Sequence, residues 1–425
     1  MNLILAMPLE VRLAAIVAVG TCIGALVNLL SYRLAWEPAS ISPWSRPHHK
    51  APPRRFTDRI PVIGWIGLRR EWQLHGKGFW IVPMLVELFT GVALAALYWW
   101  EIGELGLLPV DAARGLVKAD IVAMLHSPYL AHAILICLML IVSLIDIREK
   151  TIPDSITVPG VWIGLALAII LPKSLLSGML PAAVCRQITP ATFSCMHVAS
   201  PAAWPDCLGG GVQATSLVIG LGCWWLWCAA LMPRVWYPRW GTARALKFFV
   251  AKLRRSRSTY WILLMGVIGS AVIACVWHLD QLSWQSLLSA LVGVATGGAI
   301  VWVVRIIGGA VLDREAMGFG DVTLMAMIGA FLGWQACLFI FFLAPLAALA
   351  VGLVQVIFLR DQEIPYGPFL CLATAGVIVH WAGIWEFAAP YFSIPWLVPM
   401  VLVLCVVMLT ILLGISRLIR GIFGW

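Results

Sequence analysis

The chain has 425 residues, of which 62% are apolar and only 12% charged, and its mean hydropathy is +0.94. These values exclude a soluble globular domain and a disordered chain, and indicate an all-α polytopic membrane protein embedded in a lipid bilayer. A net charge of +9 would suggest nucleic acid in a soluble protein. Spread over the loops of a membrane chain it reports orientation instead, and no nucleic-acid partner is expected.

Apolar runs long enough to span about 30 Å of hydrocarbon predict about eleven transmembrane helices. They lie at 11–31, 79–100, 128–146, 155–172, 213–232, 259–277, 286–305, 321–335, 338–358, 368–385 and 396–416, the eighth being short and ending in a turn at Gly333 and Trp334. The first eleven residues contain no Lys or Arg, so the positive region of a signal peptide is missing and the first apolar segment is expected to stay as a helix. Residues 40–60, rich in Pro, Arg and His, predict an irregular segment. The stretch 33–78 carries nine Lys or Arg and the stretch 233–258 carries eight. By the positive-inside rule both are cytoplasmic, the N-terminus lies outside and the C-terminus inside. The same frame puts Asp146 and Asp321 at one membrane level on the cytoplasmic face.

Those two aspartates carry the chemical signal. Asp146, in SLIDIREKTIPD, ends one apolar stretch, and Asp321, in MGFGDVTLMAMIGAFLGW, opens another. A charge there is costly and normally functional, and two carboxylates brought together can share a proton, one as general base and one as general acid. The blander readings are a solvated interfacial acid at Asp146 and a capping acid in a glycine-rich turn at Asp321. Gly318 and Gly320 allow positive φ on either side of Phe319 and the close approach of a substrate strand. Pro153 and Asp154 suit the start of the next helix, with Asp154 as N-cap or first-turn acid. Asp313 and Glu315 are read as solvated loop acids or contacts for a basic peptide. Glu87, two turns into the second helix, needs a partner.

The eleven Cys include no CxxC pair. Cys185, Cys195 and Cys207 share the polar loop 173–212, with room for one disulfide if that loop is external. No Ser-His-Asp arrangement, HExxH or phosphate-binding loop is apparent.

Three motifs in sequence order, D-x6-PD (Asp146 to Asp154), GxGD (Gly318 to Asp321) and IPYGPF (Ile364 to Phe369, with Pro365, Gly367 and Pro368), together resemble the type IV prepilin peptidase family. The resemblance implies a multi-pass protein of the bacterial inner membrane with Asp146 and Asp321 as the catalytic pair of an aspartic endopeptidase. It implies substrates that are type IV prepilins or type II secretion pseudopilins, cut after a Gly at the end of a short basic leader, with no cofactor for the peptidase. GxLVNxxxxRL (Gly24 to Leu34) and VELxxG (Val86 to Gly91) resemble the family's N-terminal half, associated with N-methylation from S-adenosylmethionine. Asn28, Arg33 and Glu87 are therefore methylation candidates, or they simply bond one another between helices.

The chain departs from the family in two places. Many members carry two CxxC pairs in the first loop that would bind zinc; here only His48, His49 and His75 remain, and no metal is expected. Thr323 stands where a Lys commonly follows the GxGD aspartate. The family usually has eight helices, so the expected organisation is a methyltransferase-like region at 1–125, a peptidase region at 126–385 with an insertion at about 173–285, and an added helix at 386–425. The rival readings are a proton-coupled secondary transporter and an inactive assembly scaffold.

Overall fold

The computed structural model describes residues 7–39, 41–47, 50–109, 118–178, 195–211, 213–232, 251, 255–312, 317–358 and 365–423. Several sequence expectations lie outside these residues. They concern His48, His49, Cys185, Asp313, Glu315, Ile364 and most of the basic stretch 233–258.

Eleven helices of fourteen residues or more occur among the described residues, one for each predicted segment. They are α1 (Leu9–Arg33), α2 (Ile81–Tyr98), α3 (Lys118–Glu149), α4 (Asp154–Ile170), α5 (Ala214–Leu231), α6 (Arg257–Leu279), α7 (Gln281–Leu312), α8 (Phe319–Leu332), α9 (Trp334–Phe358), α10 (Gly367–Phe392) and α11 (Leu397–Phe423). Among the described residues nine of them are long and apolar enough to cross a membrane, and α4 and α8 are shorter. The architecture is that of a polytopic helical membrane protein. Ser177 and Cys195 form an isolated bridge, the one β contact among the described residues.

Several helices outrun their predicted bounds. Helix α3 starts at Lys118 rather than 128 and contains Pro128, and α7 covers Gln281–Leu312 rather than 286–305. A hydropathy window finds the stretch that matches the hydrocarbon, whereas a helix inside a bundle continues past it.

Helix α8 is the axis of the bundle. With 14 residues rising 1.5 Å each it is about 21 Å long, short of the roughly 30 Å of hydrocarbon. All residues from Asp321 to Leu332 are buried. Its neighbours are α4, α7 and α9, with α3 and α10 touching its edge. A helix wrapped by protein on every side need not match the bilayer, because its surroundings are side chains rather than lipid. Gly333, at φ +83°, ends it and starts α9, so the predicted turn lies where expected. At the other extreme α11 rests on α7 and α10 with no residue of its apolar window buried.

The N-terminal helices join the rest through buried polar contacts. Glu101 lies in a π-helical turn, Trp99–Gly103, that prolongs α2. It meets His132 Nδ1 of α3 at 2.7 Å, and both side chains are fully buried. At the other end of α3, Arg148 donates to the Ser31 carbonyl at 2.5 Å and lies over the Tyr32 ring. Glu149 accepts the backbone N–H groups of Trp36 and Glu37 at 2.8 and 3.1 Å. The end of α3 thus holds the exit of α1.

The loop between α1 and α2 is tied by acids that are buried and paired. Arg54 bonds Glu71 at 3.3 Å, and His75 approaches the same carboxylate at 3.5 Å. Arg70 bonds Asp58. Burial pushes the Asp58 carboxyl up, but the bonds from Arg70 and from the Arg55 backbone N–H outweigh it and hold it below the ordinary carboxylate range. A depressed carboxylate contributes stability above its unfolded value and loses it as pH falls through the folded one. The loop should therefore resist pepsin between residues 54 and 70 at pH 5 and open below about pH 4. Arg70→Met should open it at pH 5 as well; unchanged nicking in that variant would remove the pair from the account.

Candidate active site

The site is built where α3 ends, α8 begins and α10 begins. Lys150, in the left-handed region at φ +54°, stops α3, and its N–H returns to the Asp146 carbonyl at 2.8 Å. Residues 151–153 then turn the chain into α4, and Asp146 is left one turn inside the end of α3, 4% exposed. Asp321 is the third residue of α8 and 7% exposed.

Each carboxylate has one oxygen held by the backbone N–H of a glycine. Gly367 donates to Asp146 Oδ2 at 3.1 Å and Gly318 donates to Asp321 Oδ2 at 3.2 Å. Among the described residues no hydrogen bond reaches Oδ1 of either aspartate. The two acids are near enough for their charges to interact. The sequence pairing of Asp146 with Asp321 is thus realised in space, with GxGD and the YGPF turn closing on the end of α3.

Two glycines are needed for close approach. A Cβ at Gly367 would lie 2.5 Å from Asp146 Oδ2, and one at Gly320 would lie 2.6 Å from Ile152 Cβ. This corrects the sequence expectation for the GxGD glycines. Neither Gly318 nor Gly320 has positive φ, and the space beside Gly320 is filled by Ile152 of the α3–α4 turn rather than left for a substrate strand. Gly320 lets α8 dock on that turn, and Gly318 serves through its N–H.

Pro153 is the N-cap residue of α4, and Asp154 is its first residue. Asp154 is thus a first-turn acid, and its exposed carboxylate accepts the Thr323 hydroxyl at 3.4 Å. Thr323 also lies 3.0 Å from the Gly320 carbonyl and accepts from Thr157 at 3.0 Å. A hydroxyl at position 323 thus links α4 to α8 two residues beyond Asp321. Pro365 precedes the turn, and Pro368 is the second residue of α10, where no amide donor is needed.

One neighbour of the pair was missing from the sequence candidates. Tyr366 lies between Pro365 and Gly367 and is near enough to Asp321 for their charges to interact. Its hydroxyl is buried without a hydrogen-bond partner among the described residues. The signal in the sequence is the YGPF string itself, where a tyrosine directly precedes the glycine that holds Asp146.

The three methylation candidates separate. Asn28 Nδ2 donates to Glu87 Oε1 at 3.2 Å and to the Pro83 carbonyl at 2.8 Å. Glu87, 1% exposed, also accepts Trp65 Nε1 at 2.8 Å and the Val62 N–H at 2.6 Å. Val62 is held at φ +64°, strained for a β-branched residue. Arg33 does not join them: it is exposed in the last turn of α1. The expected three-way contact is therefore a pair, because Arg33 lies beyond the buried part of its helix while Glu87 spends its oxygens on the loop.

The loop lacks the donor set of the zinc site carried by many family members. It offers no thiolate, and the His75 imidazole sits against Glu71. Cys195 and Cys207 are both free thiols, so the disulfide considered for their loop does not join these two.

The profile described as "Type IV leader peptidase family" matches residues 133–232 and 253–354, and "Bacterial Peptidase A24 N-terminal domain" matches residues 18–101. Together they cover most of the chain, and the chain belongs to the type IV leader peptidase family. It is similar to proteins named prepilin leader peptidase/N-methyltransferase. In Pseudomonas aeruginosa the identity is 37% over 94 residues, 21% of this chain and 32% of the relative. In Aeromonas hydrophila it is 35% over 92 residues, 21% and 31%, and in Burkholderia pseudomallei 32% over 99 residues, 23% and 32%. The matched stretch thus spans about a third of the length of these relatives. No solved structure matches the chain.

If Glu87 is a structural tie, Glu87→Ala strands three donors, each costing about 1–3 kcal/mol when left unsatisfied. The thermal midpoint in detergent should fall by about 5 °C or more. An unshifted midpoint would instead leave Glu87 free for a role in binding.

Proposed function

We propose that the chain is a membrane-embedded aspartic endopeptidase of the bacterial inner membrane that removes the short basic leader of type IV prepilins or pseudopilins. The observation that carries this reading is the buried meeting of Asp146 and Asp321, each with Oδ2 anchored by a glycine N–H and Oδ1 uncommitted. A water between the two Oδ1 atoms gives up a proton to the ionised aspartate as its oxygen attacks the scissile carbonyl carbon. The protonated aspartate hands its proton to the carbonyl oxygen, and collapse of the intermediate transfers a proton to the leaving amine. The two acids titrate as one unit, so the roles of base and acid belong to the pair. Asp154, exposed beside the pair, receives a basic residue of the leader.

The orientation that fits this reading has the N-terminus outside and the C-terminus inside, with the peptidase mouth on the cytoplasmic side where the leader of a precursor remains. A transporter would want its acids near the bilayer midplane on broken helices, and these acids sit at helix ends. Relatives carry the N-methyltransferase name. Of the three methylation candidates only Arg33 is exposed, while Asn28 and Glu87 are bonded to each other and to the loop.

Asp146→Asn and Asp321→Asn should each reduce leader removal by at least roughly 10³-fold, and the double variant should be no worse than either, as for groups that act as one unit. Co-expression with candidate prepilins, read by mobility shift, provides the measurement. Near-normal processing by either single variant overturns the assignment.

The orientation is tested separately by thiol labelling. On a background without other cysteines, Cys207 should react with a membrane-impermeant reagent in intact spheroplasts. Ser256→Cys should react only after the membrane is opened. Labelling of Ser256→Cys from outside contradicts the proposed topology.

A further inference from the structure

We infer that Tyr366 is a catalytic residue whose phenolic O–H donates a hydrogen bond to the scissile carbonyl oxygen as negative charge develops there. This rests on the peptidase reading and deepens it. Most donors near the pair are already engaged. The Gly318 and Gly367 N–H groups point at the carboxylates and are spent on them. The Thr323 hydroxyl faces Asp154 and the Gly320 carbonyl. Among the described residues near the two aspartates, that leaves the Tyr366 hydroxyl as a buried side-chain donor without an acceptor.

Its position is fixed rather than incidental. The Tyr366 carbonyl accepts the N–H groups of Phe369 and Leu370 at 3.1 and 3.2 Å, so the residue is locked as the cap of α10. The next N–H along the chain holds Asp146, and the ring lies within electrostatic reach of Asp321. A buried hydroxyl normally has a partner, and one without a partner at a functional site calls for an explanation. Here the explanation is an acceptor that arrives with the substrate.

The chemistry needs such a donor. As the water oxygen bonds to the carbonyl carbon, the π pair moves onto the carbonyl oxygen, and the protonated aspartate supplies one donor to it. A second, preorganised donor in a water-poor site lowers the barrier further. Tyr366 keeps its proton throughout and forms no covalent bond, so the balance of the hydrolysis is unchanged.

The test is Tyr366→Phe, which removes one oxygen and keeps the ring. The probe is a synthetic precursor peptide with a Lys-bearing leader ending in Gly, followed by an apolar helix, presented in detergent micelles. The expected result is a fall in kcat of roughly 10²-fold, in the range seen for loss of one oxyanion donor, with KM within about twofold and the thermal midpoint not lowered. A peptide carrying a hydroxyethylene group at the cleavage position, which mimics the tetrahedral state, should bind the variant about as many fold more weakly as kcat falls. A purely structural tyrosine would not produce that match. Unchanged kcat, or a rise in KM alone, overturns the role of Tyr366. If the wild-type protein leaves the probe intact, the peptidase reading itself fails and this inference falls with it; cleavage by wild type with an unaffected variant refutes Tyr366 alone.

Discussion

A carboxylate among apolar helices must find hydrogen-bond donors or give up its charge, and the arrangement around Asp146 and Asp321 follows from that constraint. Each acid obtains one backbone N–H from a neighbouring segment. To deliver them, the start of α8 must fold back on Asp321, and the start of α10 must reach the end of α3. The second contact leaves no space for a side chain on Gly367, and the docking of α8 on the α3–α4 turn leaves none on Gly320. The burial of α8 on all sides then follows from the crowding of α3, α4, α7 and α10 around these short helix starts.

The N-terminal region obeys the same constraint with different partners. Glu87 is a buried acid served by three donors, one from α1 and two from the loop. Asp58 and Glu71 are served by arginines. The chain holds this loop with carboxylate–guanidinium pairs and a fully bonded glutamate. The end of α3 reaches into this region through Arg148 and Glu149, only two and three residues beyond Asp146. The loop after α1 and the aspartate pair therefore share one rigid support.

Much of this was legible in the sequence because two strong signals coincided. Runs of apolar residues located every long helix, since transfer to hydrocarbon depends on composition alone. The aspartates stood out because charge is rare in such runs. What stayed hidden depended on geometry across the fold. That Gly320 accommodates Ile152, or that Tyr366 is left with a donor to spare, follows only when α4, α8 and α10 are in place. Arg33 illustrates the converse. Its sequence neighbourhood grouped it with Asn28 and Glu87, but five residues further along a helix is about 7.5 Å of rise and a different face. Helix ends were misjudged for a related reason: hydropathy measures the membrane, and the bundle extends past it.

The bond between Gly367 and Asp146 joins residues 221 positions apart, and this has a consequence for biogenesis. At roughly 5–20 residues per second, a ribosome needs on the order of 10–40 s to travel from one to the other. Throughout that interval Asp146 lacks its backbone donor, and for most of it Asp321 has not been made. A nascent chain thus holds an incomplete site while its first nine helices enter the bilayer, and the site closes only when the tenth docks. On the proposed peptidase reading, cleavage cannot begin at the insertion site before the fold is closed.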